Sequence, residues 1–397
     1  MGQVSNRFRS RTESDMRVLF IITVRGHGRG GHFHSLNHIS QAMGENAEVS
    51  ICTYGTGRSQ VLETNPHFKK HIFYNGKNFI KYKKEVQTML ESFKPDILHF
   101  FDTAAYNTFS LFFNINKYKI FLNKCGGPNP VEFPLVQNLI LFSEENKIWF
   151  EANSKFNKTN IEVIPNRVNP ELLRFNFNKQ IEKKDAFCFV RIARIGNAYK
   201  KSILDSICLV EKLSRDGKNV HLYIIGTIQD NKIAEEIRTK ANGLPITMIT
   251  DDCYTQKASD MLYLADAVIA TGRGIMEATS LGKPILTPAK NNELPVLVNV
   301  NNFKKFFDTN FSERNVAPDE CLKTNYVEII KLIDDDEFFD KLSLFSKKVF
   351  DENFSTASGI PKYLTFYKKN KNNSDLKLSV FSNLKSKLKT WYSFINS

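Results

Sequence analysis

The sequence contains no apolar run long enough to span a bilayer, and its longest apolar stretches, such as residues 18–24, have the length of a single strand. A secretory signal is also missing, because the first fifteen residues are polar and rich in Arg and no apolar signal core follows them. These absences favour a cytoplasmic protein without a transmembrane helix. Residues 1–15 are predicted to form a disordered leader.

Cysteine and histidine are scarce, and they are not grouped in a metal-binding pattern. The six cysteines include no CxxC pair and mostly fall in apolar runs, and the eight histidines show no HExxH spacing. Isolated cysteines in apolar runs are typical of reduced core thiols, whereas a disulfide framework or a zinc site needs paired spacing. The sequence therefore predicts no metal site and no cofactor.

The net charge of +13 is concentrated at the two ends of the chain. Residues 1–31 hold six Arg against two acidic residues, and residues 361–397 hold eight Lys against one acidic residue. A nucleic-acid-binding protein more often spreads its basic residues over a folded face, so we expect no nucleic-acid partner. Charge concentrated at a terminus is instead typical of a membrane-surface segment or a solvated tail.

Strand-like and helix-like segments alternate along most of the chain, which predicts α/β layers with parallel sheets. One series occupies residues 16–170 and a second occupies residues 171–355, followed by a helix and a basic amphipathic tail over residues 356–397. Each series predicts a doubly wound, Rossmann-like domain. Because such sheets bind ligands beyond the carboxyl ends of their strands, two facing domains would form a central cleft with two ligand-binding walls.

Particular elements can be predicted from apolar periodicity. Strands are expected at Arg17–Val24 and Val220–Ile225, which are apolar runs of strand length. Helices are expected over residues 78–93, Asn231–Ala241 and residues 256–265. Three turns that follow predicted strands contain glycine together with charged residues, and these turns are where the chemistry is expected.

The first turn, residues 25–32, joins the first strand to its helix. Gly30 and Gly31 let the backbone approach a ligand closely, and the helix N-terminus offers free N–H groups to phosphate or hydroxyl oxygens. The dinucleotide fingerprint GxGxxG cannot be placed here in register, and no acidic residue closes the second strand. A tight turn without a ligand is the alternative interpretation.

The second turn, residues 191–201, follows the first strand of the second series. Arg194, Lys200 and Lys201 flank a glycine at the start of a helix. Cations at a helix N-terminus can bind a pyrophosphate and stabilise it as a leaving group without a metal ion. A solvated basic loop is the alternative.

The third turn, residues 270–284, again runs from a strand into a helix. Gly272 and Gly274 flank Arg273 at the helix start, so backbone N–H groups are expected to point into the cleft. Glu277 lies one turn inside that helix, where its carboxylate can accept both hydrogen bonds from a ribose diol. The alternative is a first-turn charge that the helix dipole favours.

Together these turns resemble those of GT-B glycosyltransferases, in particular the large retaining family four. In that family an early Gly-Gly loop, here Gly30 and Gly31, touches the donor phosphates or the acceptor. An Arg and a Lys after the first strand of the second domain bind the donor diphosphate. Arg194 and one of Lys200 and Lys201 correspond to them.

The resemblance extends over roughly residues 16–355 and includes residues 164–169, which are similar to the family's interdomain linker. Glu277 matches the second glutamate of the family's Glu-x7-Glu motif, which holds the donor ribose. Ile269 occupies the position of the first glutamate, which is a departure from the motif. The loop of Gly272, Arg273 and Gly274 is therefore expected to bind the donor sugar through backbone N–H groups.

A second departure concerns the family's cleft histidine, which ends a strand of the first domain. The best positional match is Cys125, followed by Gly126, so the recognition of the donor sugar must differ. His99 and Asp102 end another first-domain strand and are further candidates for the acceptor side of the cleft. A hydrogen-bonded structural histidine is the alternative interpretation of His99.

The resemblance implies a hexosyltransferase that uses a nucleotide sugar, with a UDP-sugar favoured, and that acts with retention and without a metal ion. Its implied setting is the assembly of a bacterial cell-envelope polysaccharide or glycolipid. Two alternatives stay open. A nucleotide-sugar 2-epimerase has the same architecture and needs no acceptor, and a non-catalytic relative would bind nucleotide without turning over a donor.

The tail, residues 375–397, combines an apolar stripe at helical spacing with positive charge, and residues 372–374 are a suitable helix start. This pattern is typical of a helix that lies in the headgroup region, so we expect peripheral binding to the inner face of the plasma membrane and a lipid-linked acceptor. A helix packed against the protein body, or an untethered tail, is the alternative. The stripe comprises Val380, Phe381, Leu384, Leu388, Trp391, Tyr392 and Ile395, and the cations are Lys377, Lys385, Lys387 and Lys389.

Overall fold

The computed structural model describes residues 16–170, 181–370, 376, 378 and 381–396. The described chain forms two α/β domains, each built on one sheet that apolar clusters cover on both faces. The predicted leader at residues 1–15 lies outside the described residues.

A seven-stranded parallel sheet forms the first domain. Its strands are β1 (Arg17–Val24), β2 (Glu48–Gly55), β3 (Phe68–Phe73), β4 (Ile97–Phe100), β5 (Lys119–Lys124), β6 (Asn138–Leu141) and β7 (Asn160–Val163). Their order across the sheet is β3-β2-β1-β4-β5-β6-β7. The connecting helices are α1 (Gly31–Met43), α2 (Gln60–Glu63), α3 (Phe79–Phe93), α4 (Thr103–Phe112) and α5 (Glu144–Ala152).

The central strand β1 shows why its bounds could be predicted from the sequence. Its consecutive side chains enter two different apolar clusters, with Leu19 and Ile21 on one face of the sheet and Val18 and Phe20 on the other. A parallel strand buried on both faces requires a continuous apolar run. The prediction for Arg17–Val24 is therefore confirmed to the residue.

A six-stranded sheet forms the second domain. Its strands are β8 (Phe187–Ile192), β9 (Val220–Ile225), β10 (Ile246–Ile249), β11 (Ala267–Ile269), β12 (Ile285–Thr287) and β13 (Val296–Leu297). Their order is β10-β9-β8-β11-β12-β13, and only the β12–β13 pair of this sheet is antiparallel. The helices are α6 (Lys200–Arg215), α7 (Asn231–Ala241), α8 (Asp252–Thr255), α9 (Arg273–Ser280), α10 (Phe303–Asp308), α11 (Asp319–Asp334) and α12 (Asp336–Asn353).

The predicted helix over residues 256–265 is wrong. The chain instead forms the short α8 and then a 3₁₀ helix at Ala258–Leu264. Met261, Leu262 and Leu264 are all buried in the apolar cluster of the second domain. The tighter 3₁₀ geometry is commonly used for short connectors of this kind.

After α12 the chain returns to the first domain as α13 (Thr356–Lys369). Ile360, Tyr363 and Tyr367 of α13 are buried in the same apolar cluster as β1. The chain thus crosses between the domains twice, once near Val168 and once near Ser355, and these two residues form a parallel β-bridge. This pair of adjacent crossings connects the two domains.

The tail ends in α14 (Leu384–Ile395), which packs against α4 of the first domain. Phe394 is buried in the core, and Lys387 is buried and donates to the carbonyl of Ser110 at 3.1 Å. The expectation that Lys387 adds to an outward-facing charge is therefore wrong, because this residue lies on the docked side of the helix. The predicted helix start at residues 372–374 lies outside the described residues.

Candidate active site between the domains

The third glycine turn forms an ion pair at the boundary of the two domains. Gly272 caps α9 with a positive φ of 48°. Arg273 Nε donates to Glu277 Oε1 at 2.7 Å, and the two side chains are only 10% and 13% exposed. Burial raises the pKa of Glu277 and the Arg273 charge opposes that rise. The carboxylate keeps a second oxygen that can accept hydrogen bonds from a ligand.

Arg273 also reaches beyond its own domain. Its Nη1 donates to the carbonyl of Arg167, in the linker, at 3.1 Å. A Cβ placed on Gly31 would lie 3.8 Å from Arg273 Cδ, so the Gly-Gly turn of the first domain faces this side chain. Gly30 caps α1 with an extended backbone. The first and third turns, predicted separately, therefore meet across the cleft.

The three cations of the second turn, residues 191–201, have different partners. Arg194 is exposed, and its guanidinium lies over the ring of Tyr199 at 5.6 Å. Lys200 instead pairs with Glu236 on α7 at 2.7 Å. Because Lys200 is engaged there, Arg194 is the better placed of the two to meet a ligand.

Lys201 is paired with other groups of the second domain. Its Nζ contacts Asp205 Oδ2 at 2.6 Å and donates to the carbonyls of Asn292 and Ala289 at 2.7 and 3.2 Å. These bonds tie the start of α6 to the loop after β12. The contacts of Lys201 are therefore structural.

On the first-domain wall, His32 at the start of α1 is a site residue that the sequence analysis did not single out. Burial lowers the pKa of His32, the charge of Asp102 raises it, and the charge of Arg194 across the cleft lowers it. The imidazole therefore lies within electrostatic reach of both domains. A neutral imidazole can accept a proton from a hydroxyl group.

Asp102 is anchored below His32. It caps α4 by accepting from the backbone N–H of Ala105 at 2.6 Å, and it also accepts from the N–H and hydroxyl of Thr23 at 2.7 and 2.9 Å. Burial raises the pKa of Asp102, and these hydrogen bonds lower it. Its carboxylate is thus fixed in place at the ends of β1 and β4.

His99 does not reach the cleft. It is fully buried, with Nδ1 at 2.6 Å from the hydroxyl of Tyr367 and Nε2 at 2.7 Å from Asn123 Oδ1. Burial lowers its pKa to about 3. The arrangement is that of a hydrogen-bonded structural histidine, and Tyr367 belongs to α13, so His99 helps to attach the returning helix.

The loop after β5 presents glycine backbone to the cleft and turns its thiol inward. Cys125 Sγ lies 3.2 Å from the carbonyl of Phe101, and burial raises the pKa of Cys125. Gly126 has a φ of 60°. Lys124, which was noted only as a neighbour of Cys125, donates to the carbonyl of Gly126 at 2.6 Å and to Asn146 at 3.0 Å. Its amine therefore fixes the loop.

A second contact between the domains was not predicted. Arg314 of the second domain binds both carboxylate oxygens of Glu145 on α5, at 2.7 and 3.1 Å. Its Nη2 also donates to the carbonyl of Gly127 at 3.4 Å. Nothing in the sequence near either residue marks this pair, because the partners are far apart in the chain. In the described ranges, no group of three His, Cys, Asp or Glu residues is arranged to hold a metal ion.

No protein-family model matches the sequence, and no curated protein matches it. Solved structures do match over nearly their whole length. A glycosyltransferase from Rickettsia africae has a TM-score of 0.64 at 14% identity, covering 91% of this chain and 100% of its own. Anabaena HepE in complex with UDP and glucose has a TM-score of 0.64 at 15% identity, covering 89% and 100%.

A UDP-GlcNAc 2-epimerase from Neisseria meningitidis, bound to UDP-GlcNAc, also matches, with a TM-score of 0.51 at 15% identity and coverage of 89% and 99%. These likenesses and the two doubly wound domains show the GT-B fold. The fold predicted from the sequence is confirmed. At such identities the likeness defines the architecture, and the activity has to be argued from the cleft.

Proposed function

We propose that the protein is a glycosyltransferase that moves a hexose from a UDP-sugar to a cell-envelope polysaccharide or a lipid-linked acceptor in a bacterial cell, with retention and without a metal ion. The observation that carries the proposal is the placement of Glu277 and Arg194. They follow the adjacent strands β11 and β8, and both turns face the start of α1.

The donor side of the proposal uses the second domain. The free oxygen of Glu277 accepts hydrogen bonds from the ribose diol, while the other oxygen stays paired with Arg273. Arg194 binds the diphosphate and stabilises its charge as it departs. Two solved structures with this fold hold UDP with glucose and UDP-glucose, which supports UDP as the carrier.

The acceptor side uses the first domain. Gly30, Gly31 and Gly126 present backbone to the cleft, and His32 interacts electrostatically with Asp102 in the same domain. Retention is implied by the resemblance to family four. The anomeric configuration of the product, measured by NMR, tests it directly, because an inverted product would instead assign His32 as the base that activates the acceptor hydroxyl.

The first experiment measures binding and turnover together. Calorimetric titration with UDP, UDP-glucose, UDP-galactose and UDP-N-acetylglucosamine should show binding of UDP and of at least one UDP-sugar. Incubation with that sugar and a bacterial lipid extract should then give a labelled glycolipid or glycan. Release of UDP and an epimerised sugar without acceptor would establish the 2-epimerase instead. Binding without any turnover would leave a non-catalytic protein.

The proposed transfer should survive chelation. Because cations rather than a pair of carboxylates are offered to the diphosphate, an excess of EDTA is expected to leave the initial rate within about twofold. The measurement is the rate of transfer before and after dialysis against EDTA. Loss of activity that Mg²⁺ or Mn²⁺ restores would contradict the proposal of a metal-free leaving-group site.

We also propose that the first domain binds the inner face of the plasma membrane through α14. None of the described helices is long and apolar enough to cross a bilayer. The docked tail still turns large apolar side chains outward, since Phe381, just before α14, and Tyr392, on α14, are 77% and 67% exposed. This outward surface, the tail stripe, comprises Phe381, Leu384, Leu388, Trp391 and Tyr392.

The surroundings of the tail stripe suit an anionic bilayer. Trp391 Nε1 donates to the carbonyl of Gly76 at 2.8 Å, which places the start of α3 beside the stripe. Ile80 in that first turn is 73% exposed. Lys77 and Lys389 are exposed nearby, and each lysine close to anionic lipid contributes roughly 1 kcal/mol. Apolar side chains framed by lysine are typical of peripheral membrane binding.

Replacing Phe381 and Leu388 together by serine is expected to weaken binding to phosphatidylglycerol vesicles on the order of 100-fold, because each side chain contributes roughly 1.5 kcal/mol on burial in lipid. UDP affinity should not change. Co-sedimentation with vesicles at low salt measures the effect. The matched control replaces Val327 and Leu344, two exposed apolar residues of the second domain, by serine. Wild-type protein that ignores the vesicles would contradict the membrane proposal.

A further inference from the structure

A strained backbone segment lies where the two domains meet. Asn310 and Phe311 are consecutive residues with φ of 56° and 51°, in the left-handed region. Asparagine enters this region more readily than most residues, whereas a bulky residue such as phenylalanine rarely does. Such conformations persist only where surrounding contacts enforce them, and they concentrate at functional sites. The segment, residues 309–315, follows α10 in the second domain.

The contacts that enforce this conformation all come from the second domain. Phe311 is fully buried among aromatic rings, and its carbonyl accepts from the hydroxyl of Thr287 at 3.3 Å. Thr309 and Asn315 hydrogen-bond to each other, and Asn315 also donates to the carbonyl of Pro288 at 3.2 Å. The core and the loop after β12 thus hold the chain on both sides of Asn310.

These restraints bring the amide of Asn310 between one glycine of each domain. A Cβ placed on Gly126, after β5, would lie 3.4 Å from Asn310 Nδ2, and one placed on Gly272, at the cap of α9, would lie 3.5 Å from it. The absence of side chains at both glycines leaves room beside the amide. The side chain of Asn310 therefore lies between the acceptor wall and the donor wall.

The amide has unused hydrogen-bonding capacity. Within residues 16–170, 181–370 and 381–396, no protein group hydrogen-bonds to the side chain of Asn310, although its backbone N–H donates to Phe307 at 2.9 Å. An asparagine side chain has two donors and one acceptor, which match the alternating hydroxyls of a sugar. The segment held by the second domain thus presents an unpaired polar group at the cleft.

We propose that Asn310 determines sugar specificity by hydrogen-bonding to the hydroxyls of the transferred sugar. The inference rests on the proposed function and deepens it. In this sequence Ile269 stands at the position of the first glutamate of the Glu-x7-Glu motif. Ile269 is fully buried in the second domain and offers no side-chain contact to a sugar. Asn310 supplies a polar contact from a different segment of the same domain.

The test separates contacts to the sugar from contacts to the nucleotide. Asn310→Gly keeps the left-handed conformation while removing the amide, and Asn310→Asp keeps the shape while removing the donors. Calorimetry measures the ratio of UDP-sugar to UDP affinity for UDP-glucose, UDP-galactose and UDP-N-acetylglucosamine. The ratio for the preferred sugar is expected to fall about tenfold in both variants, as the loss of a hydrogen bond predicts.

Lys94→Gly is the matched control for relief of backbone strain. Lys94 also has a positive φ, of 49°, but it is exposed at the end of α3. This variant should leave every affinity ratio unchanged. An unchanged ratio in both Asn310 variants, with the wild type binding UDP and a UDP-sugar, would overturn the role of Asn310 and leave the proposed function intact. A wild type that binds neither UDP nor a UDP-sugar would overturn both.

Discussion

Replacing Glu277 by alanine is expected to weaken UDP binding by roughly 1.5–3 kcal/mol, since a carboxylate that accepts hydrogen bonds from the ribose contributes about that amount. The same change should destabilise the second domain, because Arg273 would keep a buried charge without its partner. Removal of one member of a buried ion pair typically costs about 3–5 kcal/mol. Calorimetric titration with UDP and urea unfolding measure the two effects separately.

A double variant separates the ribose contact from the stability effect. Replacing Arg273 by methionine in the Glu277→Ala background removes the unpaired charge, so most of the lost free energy of unfolding should return. UDP affinity should stay low, because the ribose acceptor is still missing. If the double variant recovers its UDP affinity, Glu277 acts only through the ion pair and the proposed ribose contact is wrong.

The Glu277–Arg273 pair also shows what the sequence could not indicate. The sequence predicted a helix that starts beside Gly272 and Gly274 and carries Glu277, and α9 is that helix. The loop of Gly272, Arg273 and Gly274 was expected to contact the donor through its backbone N–H groups. The structure shows that the side chain of this arginine connects Glu277, the carbonyl of Arg167 and the Gly31 turn. Those contacts depend on how the two domains are placed.

The fold was predictable where a segment's own pattern determines its structure. Strands β1 and β9 are continuous apolar runs, and both were predicted to the residue. Strand β3 was not predicted, because it lies at the sheet edge and exposes Lys69, Lys70 and Phe73. An edge strand has fewer buried positions, so its apolar pattern is weak.

The candidate site was predictable to the level of loops. The role of each residue within a loop depends on partners that are distant in the sequence. Lys200 and Arg194 lie in one basic turn and looked equivalent, but Glu236 on another helix engages Lys200. Nothing in the sequence indicated Asn310 as a site residue, because its left-handed conformation follows from packing around Phe311. His99 was a candidate for the acceptor side of the cleft, but it is hydrogen-bonded to Tyr367, which lies 268 positions further along the chain.

Within the basic turn, residues 191–201, Arg194 is the cation proposed to contact the diphosphate. Its replacement therefore has the largest expected effect on catalysis. Arg194→Ala should lower kcat about 10²–10³-fold, because loss of one group that stabilises developing charge typically costs that much. The free energy of unfolding should change little, since Arg194 is exposed and its guanidinium lies over the ring of Tyr199. Initial rates over a range of UDP-sugar concentrations, together with urea unfolding, provide the measurement.

Lys200→Ala is the matched control for the loss of one positive charge from the same turn. Because Lys200 pairs with Glu236 on α7, its removal should change kcat less than about threefold, the scale of an exposed ion pair. A general electrostatic effect of the basic turn on an anionic substrate would lower kcat/KM similarly in both variants and would weaken with added salt. A specific leaving-group contact predicts a loss in the Arg194 variant alone, and that loss should persist at high salt. Equal losses in the two variants would therefore assign the effect to the net charge of the turn and contradict the direct contact between Arg194 and the diphosphate.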